Sequence, residues 1–238
     1  VDAVLNDLDE YAIEEALRIV EPLNEGKETP EHSITLISMG PDRASEAIRK
    51  GLSMGADSGI LIADAALAGS DAIATSKVLA DVISQGGFDL VFCGTESTDA
   101  RMSVVPAMLA ERLGWAQLTF AGSVKVDALN SAVEIARMTE SGVETMSAHF
   151  PCVISVIEKI NEPRYPSFKG IMAAKKKVIE TKTLAEVGVS ASEVGATGAW
   201  SAVADAQARP PRDKGIKIED SGDGGSKLAE YLAEKRLV

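Results

Sequence analysis

The stretch FDLVFCGTESTDARMSVVPAMLAERLGW, residues 88–115, contains an apolar strand, a polar loop and a helix in direct succession. Its first six residues are nearly all apolar, which is typical of a strand that is covered on both faces. Gly86 and Gly87 end a helix predicted over 70–85, and a second helix is predicted over 104–113. A covered strand between two helices predicts a βαβ unit of a parallel sheet.

The segments on either side of this stretch continue the alternation of strands and helices. Two further strands are separated by a polar turn, which predicts a hairpin. The other predicted elements are strands at 33–39, 59–63, 118–126, 133–138 and 151–157, and helices at 11–20 and 44–52. We therefore predict an α/β fold with a covered parallel sheet and a β-hairpin extension.

The composition indicates a soluble, acidic, intracellular globular protein. The chain has 238 residues, 45% of them hydrophobic, and a net charge of −12, which argues against a nucleic-acid binder. Its two cysteines, Cys93 and Cys152, are too few for a disulfide framework and fit buried thiols in a reducing compartment. No apolar stretch reaches the roughly 18 residues of a membrane span, and we expect no signal peptide. We expect a cytoplasmic protein without membrane insertion.

Classical catalytic motifs are not apparent in this sequence. The two histidines, His32 and His149, stand apart from any serine or cysteine nucleophile motif, and no pair of them has metal-ligand spacing. The Glu14-Glu15 pair is interpreted as ordinary helix surface. We therefore expect no catalytic residue and no metal site.

The composition changes beyond Val187, where the chain becomes small, polar and rich in proline and glycine before a closing helix predicted at 227–236. We predict a domain at 1–186 and an extended arm at 187–238 whose helix packs on another chain. Composition alone is equally consistent with a frayed tail that ends in a surface helix.

The loop at residues 93–103 follows the best-defined strand and precedes a helix. In open α/β sheets ligands bind beyond the carboxyl ends of the strands, and the free N–H groups at a helix start favour phosphate. The loop offers polar groups that suit a nucleotide: the hydroxyls of Ser97, Thr98 and Ser103, the charge of Arg101 and the carboxylate of Asp99. It lacks the GxxxxGK[ST] and GxGxxG patterns, so a plain polar connection is the alternative.

Residues 161–177, NEPRYPSFKGIMAAKKK, combine apolar and basic side chains, and we call them the docking segment. Between residues 151 and 182, seven Lys and Arg stand against three Asp and Glu, a local charge of +4 in an acidic chain. Phe168, Ile171 and Met172 have no obvious strand or helix partner, and apolar residues rimmed by cations suit a protein-docking surface. A solvated basic face with Phe168 turned inward is the alternative.

The docking segment resembles the signature of electron transfer flavoprotein beta subunits. Further motifs similar to that family follow the same order along the chain: LNDLDEYAIEEAL at 5–17, SMGPDRASEAIRKGLSMGAD at 38–57 and CGTESTDARMSVVPAMLAERLGW at 93–115. The resemblance covers essentially the whole chain. It implies a Rossmann-like fold of the adenine-nucleotide-binding type, with a doubly wound, mostly parallel sheet. Family members usually open with a further strand and loop, so the domain is expected without the family's first strand.

The resemblance implies one structural AMP in this subunit. The site carries over by motif to the start of the first helix, to the end of strand 33–39 and to residues 94–105, which we call the nucleotide loop. The implied AMP-binding residues are Asn6, Asp7, Leu8, Asp9, Met39, Gly94, Thr95, Glu96, Ser97, Thr98, Asp99, Ala100, Arg101, Met102, Ser103, Val104 and Val105. After Asp99 the sequence departs from many relatives, and Arg101 is expected to replace one of their contacts.

The resemblance also implies a heterodimer with an alpha subunit that holds FAD, and an electron carrier rather than an enzyme with bond chemistry of its own. Electrons would pass from acyl-CoA and related dehydrogenases of fatty acid beta-oxidation to a membrane quinone oxidoreductase, in a bacterial cytoplasm. A bifurcating beta subunit, with a second FAD in place of AMP and NADH as donor, is the alternative. An adenine-nucleotide hydrolase or ligase on a similar fold is a third hypothesis.

The docking segment is similar to the family's recognition loop, which anchors the partner dehydrogenases. Phe168 stands where some relatives have leucine, and burying such a side chain contributes about 1.5–3 kcal/mol. Lysines 175–177 are expected to steer an acidic partner. The residues expected to bind the partner are Glu162, Pro163, Arg164, Tyr165, Phe168, Ile171, Met172 and Lys175.

Overall fold

The computed structural model describes residues 4–212, 214–217 and 219–238. The predicted domain and arm also include residues 1–3, 213 and 218, which lie outside the described residues. The chain divides into two units, of which the first ends at Ala202 and the second begins at Val203.

The first unit contains a succession of strands and helices. Its helices are α1 (Asp7–Asn24), α2 (Ser45–Met54), α3 (Ala72–Gly86), α4 (Val105–Leu113), α5 (Phe168–Ala174), α6 (Leu184–Val187) and α7 (Gly195–Gly198). Its strands are β1 (Thr35–Met39), β2 (Ser58–Ile62), β3 (Leu90–Gly94), β4 (Ala116–Asp127), β5 (Ala132–Thr139), β6 (Gly142–His149), β7 (Cys152–Val156) and β8 (Ile179–Lys182). Short 3₁₀ turns lie at Asp42–Ala44, Ala65–Leu67 and Ala191–Glu193.

The strands form mostly parallel sheets. One sheet has the order β1-β2-β8, and all of its strands are parallel. The other has the order β3-β7-β4-β5-β6, in which β3, β7 and β4 are parallel and β4, β5 and β6 form an antiparallel extension. The predicted α/β class and the β-hairpin are confirmed.

The strands whose sequences are apolar throughout lie in the core, covered on both faces. All five residues of β7 are buried, so this strand is covered on both faces, as expected of a central parallel strand. Gly87 follows α3 with φ of 64° and Gly114 follows α4 with φ of 66°. Glycine adopts this left-handed conformation without the steric cost of a Cβ atom, so both helices end where the sequence predicts.

The antiparallel extension contains a further strand, β6, beyond the predicted hairpin. β6 pairs with β5 from Ala132↔His149 to Thr139↔Gly142. None of the eight residues of β6 is buried, so neither face of the strand requires the apolar residues whose alternation would mark it in the sequence.

The first unit continues past the predicted boundary at residue 186. Val187, Val189 and Val194 are buried in one cluster with Ile62 and Val78. These valines are spaced among small polar residues, so the local composition does not reveal that they fill a core.

The second unit contains α8 (Gly224–Glu234), and none of the residues of this helix is buried. Leu228 is 54% exposed. That the arm packs on another chain remains a prediction.

In the ranges that the structure describes, no helix combines the length and the apolar character that a bilayer crossing requires.

Candidate functional site

The first candidate site lies where the start of α1 meets the nucleotide loop. Asn6 donates a hydrogen bond from Nδ2 to the carbonyl oxygen of Glu96 at 2.9 Å, and its Oδ1 accepts one from the amide of Thr98 at 3.2 Å. The Oδ1 atom of Asp9 accepts a hydrogen bond from the amide of Gly94 at 2.7 Å. The structure therefore brings together two segments of the predicted AMP site that are about 90 residues apart in the sequence.

These two segments approach so closely at position 94 that only glycine fits there. A Cβ atom at this position would lie 2.7 Å from the carbonyl carbon of Leu8 and 2.9 Å from the carbonyl oxygen of that residue. Both neighbours are backbone atoms, which cannot rotate away as a flexible side chain can. The absence of a side chain at Gly94 thus allows α1 to pack directly on the end of β3.

Within the nucleotide loop, polar contacts fix the two ends, and the middle is exposed. Thr95 donates from Oγ1 to the carbonyl oxygen of Val156 at 2.9 Å, and Ser103 donates from Oγ to Glu96 at 2.9 Å. Arg101 and Ser103 have φ of 50° and 55°, a conformation that non-glycine residues seldom adopt. The exposed residues of the loop are Ser97, Thr98, Asp99, Ala100, Arg101 and Met102.

The loop leads into a helix that begins without a side-chain cap. Val104 occupies the N-cap position of α4, and within the described part of the chain no side chain bonds to the helix start. Pro106 in the first turn has no N–H, so the start of α4 presents the backbone N–H groups of its other residues, and the positive end of the helix dipole, to a ligand. Val105 begins the helix.

The other predicted AMP-binding residues divide between the start of α1 and the end of β1, which belongs to the other sheet and is not joined to the nucleotide loop by any contact among the described residues. Asp7 is exposed at the first position of α1, and Leu8 packs beside Gly94. Met39 is the last residue of β1, as Gly94 is the last residue of β3, and it packs against the cluster that contains Ile62.

The electrostatics at the end of β3 favour neutral groups. Burial raises the pKa of Asp9, against the lowering effect of the hydrogen bonds from Gly94 and Asn6. Burial, with the nearby Asp9 carboxylate, raises the pKa of Cys93 to about 12. The Cys93 thiol is therefore protonated at neutral pH, and such a thiol is a poor nucleophile.

The second candidate site is the docking segment, whose first part is attached to α1. Asn161 donates from Nδ2 to the carbonyl oxygen of Tyr11 and to Glu15, both at 3.0 Å. The Arg164 guanidinium donates to Glu14 from Nε at 2.7 Å and to Glu21 from Nη2 at 3.0 Å. We call these contacts the α1 clamp.

The α1 clamp corrects the interpretation of Glu14 and Glu15 as ordinary helix surface, because both are buried. Burial acts to raise the pKa of Glu14, but the hydrogen bonds and charge of Arg164, with the hydrogen bond from Arg18, hold it below its ordinary value. Sequence spacing along α1 could not reveal this role, because the partner of Glu14 lies 150 residues away.

The end of the docking segment is attached to α2. Lys177 donates from Nζ to the carbonyl oxygen of Gly55 at 3.1 Å and to that of Ala56, just beyond the last residue of α2. Arg49 of α2 donates from Nη1 to the carbonyl oxygens of Lys177, at 2.8 Å, and Ala174. We call these contacts the α2 clamp. Lys177 thus stabilises the end of a helix, and of the three lysines predicted to steer a partner, Lys175 and Lys176 are the exposed ones.

Between the two clamps the docking segment exposes large apolar side chains. Tyr165 is 96% exposed and Phe168 is 80% exposed, while Ile171 and Met172 are each 44% exposed. Ser167 caps α5 by accepting a hydrogen bond from the amide of Gly170 at 3.0 Å. The alternative in which Phe168 turns inward is therefore wrong for this structure. Of the other predicted partner-binding residues, Glu162 and Lys175 are exposed and Pro163 is half-buried.

An open groove of about 540 Å³ lies elsewhere in the first unit, and none of its lining residues belongs to either candidate site. Its two cations are already engaged. Lys77 pairs with Asp81 and Glu193, and Arg112 donates hydrogen bonds to Ser76 and to a backbone carbonyl. We assign no ligand to this groove.

The comparison with protein families identifies the group to which the chain belongs. The sequence profile of the electron transfer flavoprotein domain matches residues 1–187. The chain belongs to the electron transfer flavoprotein family. The resemblance inferred from the docking segment and the nucleotide loop is confirmed.

Individual relatives specify the subunit. The chain is 47% identical over 238 residues to the electron transfer flavoprotein subunit beta of Mycobacterium leprae, covering 100% of this chain and 88% of that protein. It is 32% identical over 245 residues to the subunit of the same name from Megasphaera elsdenii, with the same two shares. Against that of Bradyrhizobium diazoefficiens it is 36% identical over 224 residues, which cover 94% of this chain and 84% of the relative. All three relatives are beta subunits.

Proposed function

We propose that this chain is the AMP-containing beta subunit of a heterodimeric electron transfer flavoprotein. In this proposal it binds one AMP, pairs with an alpha subunit that holds most of the FAD contacts, and docks acyl-CoA-type dehydrogenases through the docking segment. Electrons then pass through FAD to a membrane quinone oxidoreductase. The chain itself acts as a carrier subunit that positions its partners and makes or breaks no covalent bond.

The contact between Gly94, Leu8 and Asp9 carries the nucleotide part of the proposal. It joins the start of α1 to the nucleotide loop, and that loop leads into α4, whose first turn is not capped by a side chain. The backbone N–H groups there suit a phosphate, with Thr98 and Arg101 exposed nearby, and Asp99 suits a ribose hydroxyl. These donors and acceptors fit the phosphate and the ribose of a nucleotide. The family resemblance is what indicates AMP, bound here without reacting.

Mass identification of the released nucleotide tests this part. The purified heterodimer is denatured, and the small molecules that it releases are separated and weighed. AMP together with one FAD supports the proposal. Two FAD molecules and no AMP would instead favour the bifurcating alternative, in which NADH is the donor, and turnover of ATP by the native protein would favour a hydrolase or ligase.

The exposure of Phe168 between two clamped ends carries the docking part. A large apolar side chain that is 80% exposed has no packing role in this chain, and burying it against a partner releases water from both surfaces. The exposed Lys175 and Lys176 add a charge that attracts an acidic partner and is screened by salt.

Truncation of Phe168 tests the docking part. The side chain is exposed, so we expect Phe168→Ala to leave the melting temperature and the FAD content unchanged. Loss of about 1.5–3 kcal/mol of partner burial raises the apparent KM for a reduced acyl-CoA dehydrogenase about 10- to 150-fold. Leu129→Ala, at a residue that is 97% exposed in the turn between β4 and β5, is the matched control. Equal KM values for the wild type and Phe168→Ala would rule out the segment as the anchor.

A further inference from the structure

Arg164 belongs to the docking segment, yet its polar atoms face α1 of its own chain. Its Nε, Nη1 and Nη2 atoms and its backbone amide all donate to the carboxylates of Glu14 and Glu21. Only a third of the side chain is exposed, and the Glu14 side chain is 5% exposed. A partner protein therefore finds this guanidinium already occupied.

We propose that Arg164 and Glu14 are positioning residues for docking, which set the affinity for the dehydrogenase by holding the docking segment in its binding conformation before the partner arrives. The inference rests on the docking function proposed above. It assigns Arg164 a role different from that of Lys175, although both are cations of one segment.

A mobile segment loses conformational entropy when a partner orders it. Residues 162–167 lie in neither helix nor strand, so their conformation depends on contacts with the rest of the chain. The α1 clamp fixes the start of this stretch, and the α2 clamp fixes the end of the segment. A loop that is ordered in advance loses less conformational entropy on binding, and this gain appears as affinity.

Glu14 separates positioning from direct contact, because it is buried on α1 and cannot touch a partner. The experiment measures electron transfer from a reduced acyl-CoA dehydrogenase to the heterodimer, for the wild type and the variants Glu14→Gln, Arg164→Gln and Glu14→Gln/Arg164→Gln. Lys175→Gln is the matched control. Each protein is measured at several salt concentrations, and backbone hydrogen exchange of residues 162–172 is recorded without the dehydrogenase.

We expect each single variant to raise the apparent KM about tenfold with little change in kcat and to speed exchange of residues 162–172. The double variant should be no worse than the more affected single variant, because both changes break one interaction. The salt dependence of KM should keep its wild-type slope in these variants and should weaken in Lys175→Gln, whose exchange rates stay unchanged.

Two results would overturn the inference. In the first, Glu14→Gln keeps the wild-type KM and exchange rates while Arg164→Gln raises KM and weakens the salt dependence, which would make Arg164 a direct partner contact. In the second, exchange quickens in both variants while KM does not change. If either variant does not fold, Glu21→Gln serves instead, because it removes the more exposed of the two carboxylates that bind Arg164. We expect it to raise KM and to speed exchange as the other variants do, but by a smaller factor. The docking function itself is tested separately: it fails if Phe168→Ala keeps the wild-type KM, whatever the Glu14 and Arg164 variants do.

Discussion

Gly94→Ala is the substitution that most directly challenges the contact between α1 and the nucleotide loop. The added methyl group would lie 2.7 Å from the Leu8 carbonyl carbon and 2.9 Å from the Leu8 Cβ and carbonyl oxygen. These atoms cannot give way without moving α1 or the end of β3. That movement lengthens the 2.7 Å hydrogen bond from the Gly94 amide to Asp9 and displaces Asn6 from the loop.

The expected cost has two sources. Overpacking of a well-packed site costs about 1–3 kcal/mol, and a weakened hydrogen bond to a carboxylate adds a further 1 kcal/mol or so. We expect a loss of about 2–4 kcal/mol in the free energy of unfolding, which lowers the melting temperature by about 5–15 °C in a unit of this size. The purified variant should also release far less than one AMP per heterodimer, because the loop that would hold it is displaced.

Calorimetry and quantification of the nucleotide released on denaturation measure both effects. Gly225→Ala is the matched control, since a Cβ atom at that position of α8 meets nothing within 4 Å. We expect it to keep the wild-type AMP content and melting temperature. Wild-type AMP content and melting temperature in Gly94→Ala would refute the argument that this close approach builds the site.

Three further predictions concern the contacts that hold the other segments. Lys177→Met removes the Nζ donor from the end of α2 and should cost about 1–3 kcal/mol in urea unfolding, whereas exposed Lys176→Met should change stability by about 0.5 kcal/mol or less. Asp71 caps α3 by accepting a hydrogen bond from the Ala74 amide, and it also accepts one from the Trp200 amide at 2.8 Å. Asp71→Ala should therefore lower the free energy of unfolding by about 1–2 kcal/mol and speed hydrogen exchange at residues 200–201, whereas Asp71→Asn retains most of the cap. Exchange rates in Asp71→Ala equal to those of the wild type would contradict this. The lowered pKa of Glu14 means that its stabilising contribution is complete above its ordinary value of 4.5 and is lost as pH falls through the lower folded value. The stability difference between wild type and Glu14→Gln should therefore shrink as urea unfolding is repeated below pH 4.5, and a difference that is constant with pH would contradict the ion pair.

The covered strands could be predicted because their sequences carry the signal in every residue. The run at 152–156 is apolar throughout and lies buried throughout, and β3 follows the glycines that end α3. A different signal predicts the position of the nucleotide loop: a strand, a polar loop and a helix in succession place the loop at the carboxyl end of a parallel strand. That the loop binds a nucleotide stays a prediction.

Contacts between distant segments could not be predicted in the same way. Two adjacent glutamates on a helix give the same sequence pattern whether they face water or an arginine far away in the chain. The α1 clamp therefore leaves no local signal in the sequence. The run of three lysines likewise has uniform composition, and only the packing of the docking segment on α2 separates Lys177 from its exposed neighbours.

Native mass spectrometry of the intact heterodimer tests the central proposal most directly, because it counts the nucleotides that the folded complex holds. We predict the mass of one alpha chain, one beta chain, one FAD and one AMP, and loss of the AMP alone when the beta chain carries Gly94→Ala. A complex that contains a second FAD, or that contains no adenylate apart from its flavin, would contradict the proposal.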